Sequence, residues 1–253
     1  MPDDPEFEGL LAEAEAVPVA GWDFSWFDGR ASEQRPSWRY AERMGRRMAE
    51  ATAAVDLQTG GGEVLAGIPS APATLCATES WPPNLALARR NLVPLGGSVV
   101  RAGDDQPLPF RTASFDLVVS RHPTVVLWDE IARVLRPGGR YLSQQIGIGS
   151  NRELYEFFLG PQPHPAGDGT ERAVRRLAAV GLVACDVRHE SLEVRFDDVA
   201  AVIVFLRKVI WTVPDFSVQR YRARLADLHR QIRRTGPFLS HSQRVLVEAV
   251  KPG

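Results

Sequence analysis

Residues 53–67, Ala-Ala-Val-Asp-Leu-Gln-Thr-Gly-Gly-Gly-Glu-Val-Leu-Ala-Gly, constrain the fold more than any other stretch of this chain. An apolar run from Ala53 ends in Asp56, and a glycine cluster, Gly60, Gly61 and Gly62, follows at once. A helix-compatible segment comes next. This is a strand, tight turn and helix unit, which lets backbone approach a nucleotide-like ligand closely. A dinucleotide fingerprint requires glycine at the first, third and sixth positions. Counting from Gly60, the third position is Gly62 but the sixth is Leu65, so that pattern fails. What remains is an acidic residue closing a strand, with glycines four and six positions later.

Further βα units follow. Strands are expected at about 53–57, 73–79, 97–101, 115–120 and 140–146, with helices near 61–67, 82–92 and 126–135. Arg136-Pro-Gly-Gly139 forms a sharp turn into the fifth of these strands. Strands alternating with helices predict a parallel sheet with right-handed crossovers. Upstream, a short helix is expected within residues 1–16, an aromatic stretch at 18–30 and a helix from Ser37 to Ala54. Downstream, residues 160–169 read as a loop, Glu171 to Val180 as a helix capped by Gly181, and 182–195 as a strand. Asp197 or Asp198 caps a helix reaching about Val209; a basic helix at 217–234 and a last strand at 238–250 complete the pattern.

Two further blocks carry chemistry, and a third is structural. Glu79 ends the second strand, roughly twenty residues after the glycines, where a carboxylate accepts from vicinal ribose hydroxyls. Ser80 and Trp81 follow it. Gly103-Asp104-Asp105-Gln-Pro-Leu-Pro-Phe110 precedes Ala113-Ser-Phe-Asp-Leu-Val-Val-Ser120. Arg133-Val-Leu-Arg-Pro-Gly-Gly139 precedes the fifth strand.

In this order the blocks resemble class I S-adenosylmethionine-dependent methyltransferases over about residues 50–147. Asp56 to Gly62 is similar to that family's first motif, acidic-x-Gly-x-Gly-x-Gly, with Gln58 in place of the first glycine. The resemblance implies an α/β fold: a Rossmann-like, seven-stranded, mostly parallel sheet with helices on both faces. An N-terminal helical segment and a helical lid inserted before the last strand are added to it. Residues 1–50 would form a helical and aromatic cap, and 51–253 the methyltransferase domain, with its insertion at about 197–235. The implied cofactor is S-adenosyl-L-methionine, held by Asp56, Gln58, Gly60, Gly62, Glu79, Ser80, Asp104, Asp105 and Ser120. Asp56 would order the glycine turn or meet the cofactor's amino group through water. Gln58 would bend the turn or offer its amide to the cofactor carboxylate. Asp104 would accept from the adenine amine.

His122 follows the fourth strand at its carboxyl end, where open α/β sheets place their ligands. Its imidazole is the candidate catalytic residue, as a general base or a wall of the cofactor site. Gln144 and Gln145 are polar within an apolar run, so by alternation one faces the pocket. Trp22, Trp26, Trp38 and Tyr40 either wall an aromatic pocket or anchor the N-terminal segment. Arg30, Arg39 or Tyr40 can reach the cofactor carboxylate. His164 and His241 lie in or near loops.

Composition narrows the partners. Net charge is −1, so no global field favours nucleic acid or an anionic membrane. Arg220, Arg222, Arg224, Arg230, Arg233 and Arg234 stud the last long helix, but Asp227 interrupts them and a solvated face is expected. Cys76 and Cys185 sit in strand-like runs as buried free thiols, in keeping with a cytoplasmic location, and no metal-ligand spacing surrounds them. The acidic N-terminus lacks a signal-peptide core, and no apolar run approaches a membrane span. The expectation is a cytoplasmic methyltransferase, monomeric or homodimeric. It would act on an O, N or C atom of a small molecule. The alternatives are an RNA or protein methyltransferase, and a protein that binds the cofactor without transferring methyl groups.

Overall fold

The computed structural model describes residues 4–19, 24–163 and 165–253; Trp22 and His164 lie outside the described residues. In chain order the elements are α1 (Pro5–Ala16), β1 (Ala31–Glu33), α2 (Tyr40–Glu50), β2 (Ala53–Leu57), α3 (Glu63–Ala66), β3 (Thr74–Glu79) and α4 (Pro82–Leu92). Next come β4 (Ser98–Arg101), β5 (Phe115–Arg121), α5 (Trp128–Val134), β6 (Leu135–Ile146), α6 (Arg152–Leu159) and α7 (Thr170–Ala179). The chain ends with β7 (Val183–Phe196), α8 (Val199–Lys208), α9 (Val218–Thr235) and β8 (Phe238–Val250).

The strands are hydrogen-bonded in the order β1-β7-β8-β6-β5-β2-β3-β4, eight among the described residues rather than the expected seven. Pairs β2–β3, β2–β5, β3–β4 and β5–β6 are parallel, while β6–β8 is antiparallel. The additional strand is β1, three residues that pair antiparallel with Val194–Phe196 of β7. Three residues carry no readable alternation, so this strand is defined by its partner rather than by its own sequence. Strand β6 starts at Leu135, ahead of the expected 140. A register shift between Phe115 and Leu117 absorbs the Arg136–Gly139 turn within it. Gly139 is required there, because a Cβ would lie 2.9 Å from the Arg136 carbonyl.

The chain divides into two compact units. The first comprises Met1–Arg35, Gly149–Pro165 and Ser191–Gln243. Its core joins Phe7, Leu11 and Ala14 of α1 to Leu154 and Phe158 of α6, Leu225 and Leu228 of α9, and the buried run of α8. Helix α1 starts at Pro5, and the Asp4 carboxylate accepts from the amides of Glu6 and Phe7. Asp198, not Asp197, caps α8 by accepting from the Ala201 amide at 2.7 Å. Helix α6 has no counterpart among the expected elements.

The second unit comprises Pro36–Ile148, Ala166–Glu190 and Arg244–Gly253. Alternation along its strands feeds two cores. Ala53, Val55 and Leu57 face one, with Ile131 and Val134 of α5 and Leu177 of α7. Ala54 faces the other, with Met44 and Met48 of α2, Leu65 of α3 and Leu92 of α4. The sheet therefore carries helices on both faces, as expected. Cys76 is partly buried, whereas Cys185 is exposed, against the expectation for both thiols. Among the described residues no helix is long and apolar enough to cross a membrane.

Candidate cofactor site

The carboxyl ends of β2, β4 and β5 converge in the second unit, and the loops that leave them build one cleft. Leu57, Gln58, Gly103, Asp104, Ser120 and Tyr141 are among its lining residues.

The glycine turn follows Gln58 directly. Gly60 and Gly62 have φ of 65° and 77°, a left-handed backbone that glycine adopts without steric cost. A Cβ on Gly62 would also press on Ala88 and Leu92 of α4 at 3.4 Å. Asp56 is buried and accepts from the Thr59 hydroxyl at 2.6 Å, so it orders the turn from below. Burial is the largest influence on its carboxyl and raises its pKa to about 7, against opposing contributions from the Thr59 hydrogen bond and Arg121.

Glu79 braces that turn. One of its oxygens accepts from the Gly60 amide at 2.8 Å; the other accepts from the amides of Ser80 and Trp81 at 2.9 and 2.8 Å. A carboxylate oxygen offers about two lone pairs, so the oxygen facing Gly60 keeps one acceptor site. Burial raises the Glu79 pKa above its ordinary value, while the three amides oppose that rise.

Gln58 carries the departure from the glycine pattern. It holds φ 56° as a non-glycine residue. Its side-chain oxygen accepts from the Thr124 amide at 2.6 Å, and its nitrogen donates to the Val125 carbonyl at 2.7 Å. Both ends of the amide are thus engaged by the loop after β5, rather than left for a cofactor carboxylate. The Thr124 hydroxyl lies 2.9 Å from Gln58 Oε1 and 3.0 Å from Asp104 Oδ2, and its one hydrogen serves either acceptor. Asp105 is exposed and accepts from the Gln106 amide nitrogen at 3.1 Å.

Ser120 is almost fully buried. Its hydroxyl lies 3.1 Å from that of Tyr141 and 2.9 Å from that of Ser143, and its carbonyl accepts from the Tyr40 hydroxyl at 2.9 Å. Burial pushes the Tyr40 and Tyr141 hydroxyls above their ordinary pKa. His122 sits at φ 53°, with its amide donating to the Gln144 carbonyl at 2.7 Å. Its Nε2 lies 2.9 Å from Nε2 of Gln144. Burial, then Arg121 and Arg244, hold its pKa well below the usual imidazole range.

The structure thus brings Asp56, Gln58, Gly60, Gly62, Glu79, Asp104, Ser120 and His122 to one end of the sheet, with Ser80 beside Glu79. Of the expected aromatics, Trp38 and Tyr40 reach this region through Gln144 and Ser120. Trp26 belongs to the first unit, where Arg30 stacks on it. Arg39 pairs with Glu42 at 3.3 Å. Thr59, Thr78, Thr124 and Tyr141 shape the site without a signal in the sequence. Thr59 and Thr124 lie in βα loops and Thr78 and Tyr141 within strands; single hydroxyls carry no periodicity of their own, and only the fold gives them partners.

Residues 55–143 match the family model for a methyltransferase domain. Among solved structures, a provisionally assigned methyltransferase from Bacillus halodurans is similar at TM-score 0.59 and 16% identity, covering 84% of this chain and 99% of its own. The YcgJ protein from Bacillus subtilis is similar at TM-score 0.59 and 14% identity, covering 85% and 99%. A geranyl diphosphate methyltransferase in complex with S-adenosylmethionine is similar at TM-score 0.50 and 14% identity, covering 99% and 92%. At these identities the likenesses speak for the fold. Among curated proteins none matches the chain.

Proposed function

We propose that this chain is a class I S-adenosylmethionine-dependent methyltransferase and that it transfers the methyl group to an O, N or C atom of a small-molecule acceptor; the methyltransferase-domain match over residues 55–143 supports the reading. The observation that carries the cofactor reading is the Glu79 carboxylate tied to the Gly60 amide of the glycine turn, with Asp104 near enough to add to burial in raising the Glu79 pKa and itself lining a cleft with Gln58.

The residues fit the cofactor. The glycine turn allows close backbone approach, Glu79 keeps an acceptor site for a ribose hydroxyl, and Asp104 presents an acceptor for an exocyclic amine. S-adenosylmethionine supplies a methyl group already activated by its cationic sulfur. What the protein contributes is positioning and exclusion of water. Asp56 and Thr59 hold the turn, Gln58 fixes the loop after β5, and the apolar wall of Leu57, Leu108 and Ile131 closes the floor.

A small acceptor is supported by the charge distribution. The arginines of α9 are largely engaged within their own unit. Arg222 pairs with Glu8, Arg233 with Glu6, Arg230 with Asp227, and Arg220 lies 4.0 Å from Asp215. These carboxylates offset the helix's positive charge locally, which lowers the field that would draw a polyanion. The proposed setting is the cytoplasm, as a monomer or homodimer.

The test is incubation of the purified protein with methyl-labelled S-adenosylmethionine and three acceptor pools: small metabolites, RNA and protein. Label in the small-molecule pool is the expected result. Label confined to RNA or protein would transfer the reading to a polymer acceptor. Cofactor binding with no label in any pool would favour a protein that binds without transfer.

A further inference from the structure

Two buried side chains decide which nitrogen of His122 carries the proton. Trp38 is buried, and its indole N–H donates to Gln144 Oε1 at 2.8 Å. An indole nitrogen is a donor only. The Gln144 amide oxygen must therefore face Trp38, which turns the amide nitrogen toward His122. That nitrogen is also a donor only, and it lies 2.9 Å from His122 Nε2. The imidazole Nε2 must then accept, so its proton sits on Nδ1. The opposite arrangement would set the Gln144 amide nitrogen against the indole N–H, two donors facing each other in a buried site. The backbone reinforces the geometry, because the His122 amide donates to the Gln144 carbonyl at 2.7 Å.

We infer that Trp38 and Gln144 are positioning residues that lock His122 as a neutral imidazole with its proton on Nδ1 and its Nε2 lone pair engaged, so that it does not serve as a general base. The inference deepens the methyltransferase reading and rests on it for the acceptor. The charged groups that face the imidazole agree: Arg121 of β5 and Arg244 of β8 both oppose a second proton. The lone pair that would take a proton from an acceptor is already used by Gln144.

This restricts the acceptor class. Its nucleophilic atom must arrive with a lone pair that needs no deprotonation by this residue, as in a carboxylate oxygen or a neutral amine nitrogen. That lone pair forms the bond to the methyl carbon while the carbon–sulfur bond breaks, its electrons passing to sulfur to give S-adenosylhomocysteine. His122 keeps its proton throughout.

Long-range ¹H–¹⁵N spectra of the uniformly labelled protein test the lock directly. The expected result is the Nδ1–H tautomer of His122 with no titration between pH 5 and 8. In Gln144→Glu the new carboxylate accepts from both Trp38 and His122, so His122 should take its proton on Nε2 and titrate within that range. In Trp38→Phe the amide is free to turn, and both tautomers should appear. An Nε2–H tautomer in the unmodified protein, or titration near pH 6.5, would overturn the lock even if methyl transfer is found. The spectra read the lock without turnover, so a protein that transfers no methyl group would refute the proposed function while leaving the lock standing.

Discussion

The carboxylate of Glu79, at the end of β3, accepts from the amide of Gly60 in the turn after β2 at 2.8 Å. The ribose-binding candidate and the glycine turn are therefore one mechanical unit, and a change in either is felt by both. Glu79→Gln keeps the shape but turns an amide nitrogen toward at least one backbone donor. A loss of about 1–3 kcal/mol in cofactor affinity is expected, the scale of an unsatisfied buried donor. Faster hydrogen exchange at the Gly60 amide should accompany it. Unchanged affinity together with unchanged exchange would separate Glu79 from the site.

Gln58→Gly weighs two opposing effects. Glycine removes the left-handed strain at φ 56°, roughly 1–2 kcal/mol. It also removes the hydrogen bonds to Thr124 and Val125, each contributing about 0.5–1.5 kcal/mol. A net stability change within about 2 kcal/mol is expected, with a clear rise in amide exchange at Thr124. Unaltered exchange at Thr124 would show that Gln58 does not hold the loop.

Asp56 gives a pH signature. Burial raises its pKa from 3.8 to about 7 in the folded protein. Between these values the folded state binds more protons than the unfolded state, so stability falls as pH rises across the window. Conversion at about 1.4 kcal/mol per pH unit sets a ceiling of roughly 4 kcal/mol. Asp56→Asn removes this dependence. Denaturant titrations from pH 4 to 8 should show the variant gaining on the parent by about 2–4 kcal/mol as pH rises. Parallel profiles would mean that Asp56 is ionised throughout.

Asp104→Ala is expected to lower cofactor affinity by about 1–3 kcal/mol, roughly 5- to 150-fold, with the fold intact. Equal affinity in a folded variant, read by calorimetry, would remove Asp104 from the adenine pocket.

The βα succession was legible because its strands are short apolar runs ended by chemistry-bearing residues. Asp56, Glu79 and Ser120 all fall at or beside the expected strand ends. Strand β1 was not legible, since three residues contain no period and their ladder partner lies far along the chain. The placing of Glu79 at a strand end was readable from order and spacing. The present partners of the site's side chains were not: nothing in Gln58 announces Thr124, and nothing in Gln144 announces both Trp38 and His122. Such pairings depend on loop geometry, which sequence order does not encode locally. Cys185 illustrates a related failure, because an apolar neighbourhood in sequence did not bring burial at that position of β7.

The most direct test of the central claim is calorimetric titration of the purified protein with S-adenosylmethionine and, separately, S-adenosylhomocysteine. Binding of both, with dissociation constants of about 1–100 μM, or about −8 to −5 kcal/mol, is the predicted result. Absence of binding for either ligand at millimolar concentration would contradict the assignment of this cleft as a cofactor site.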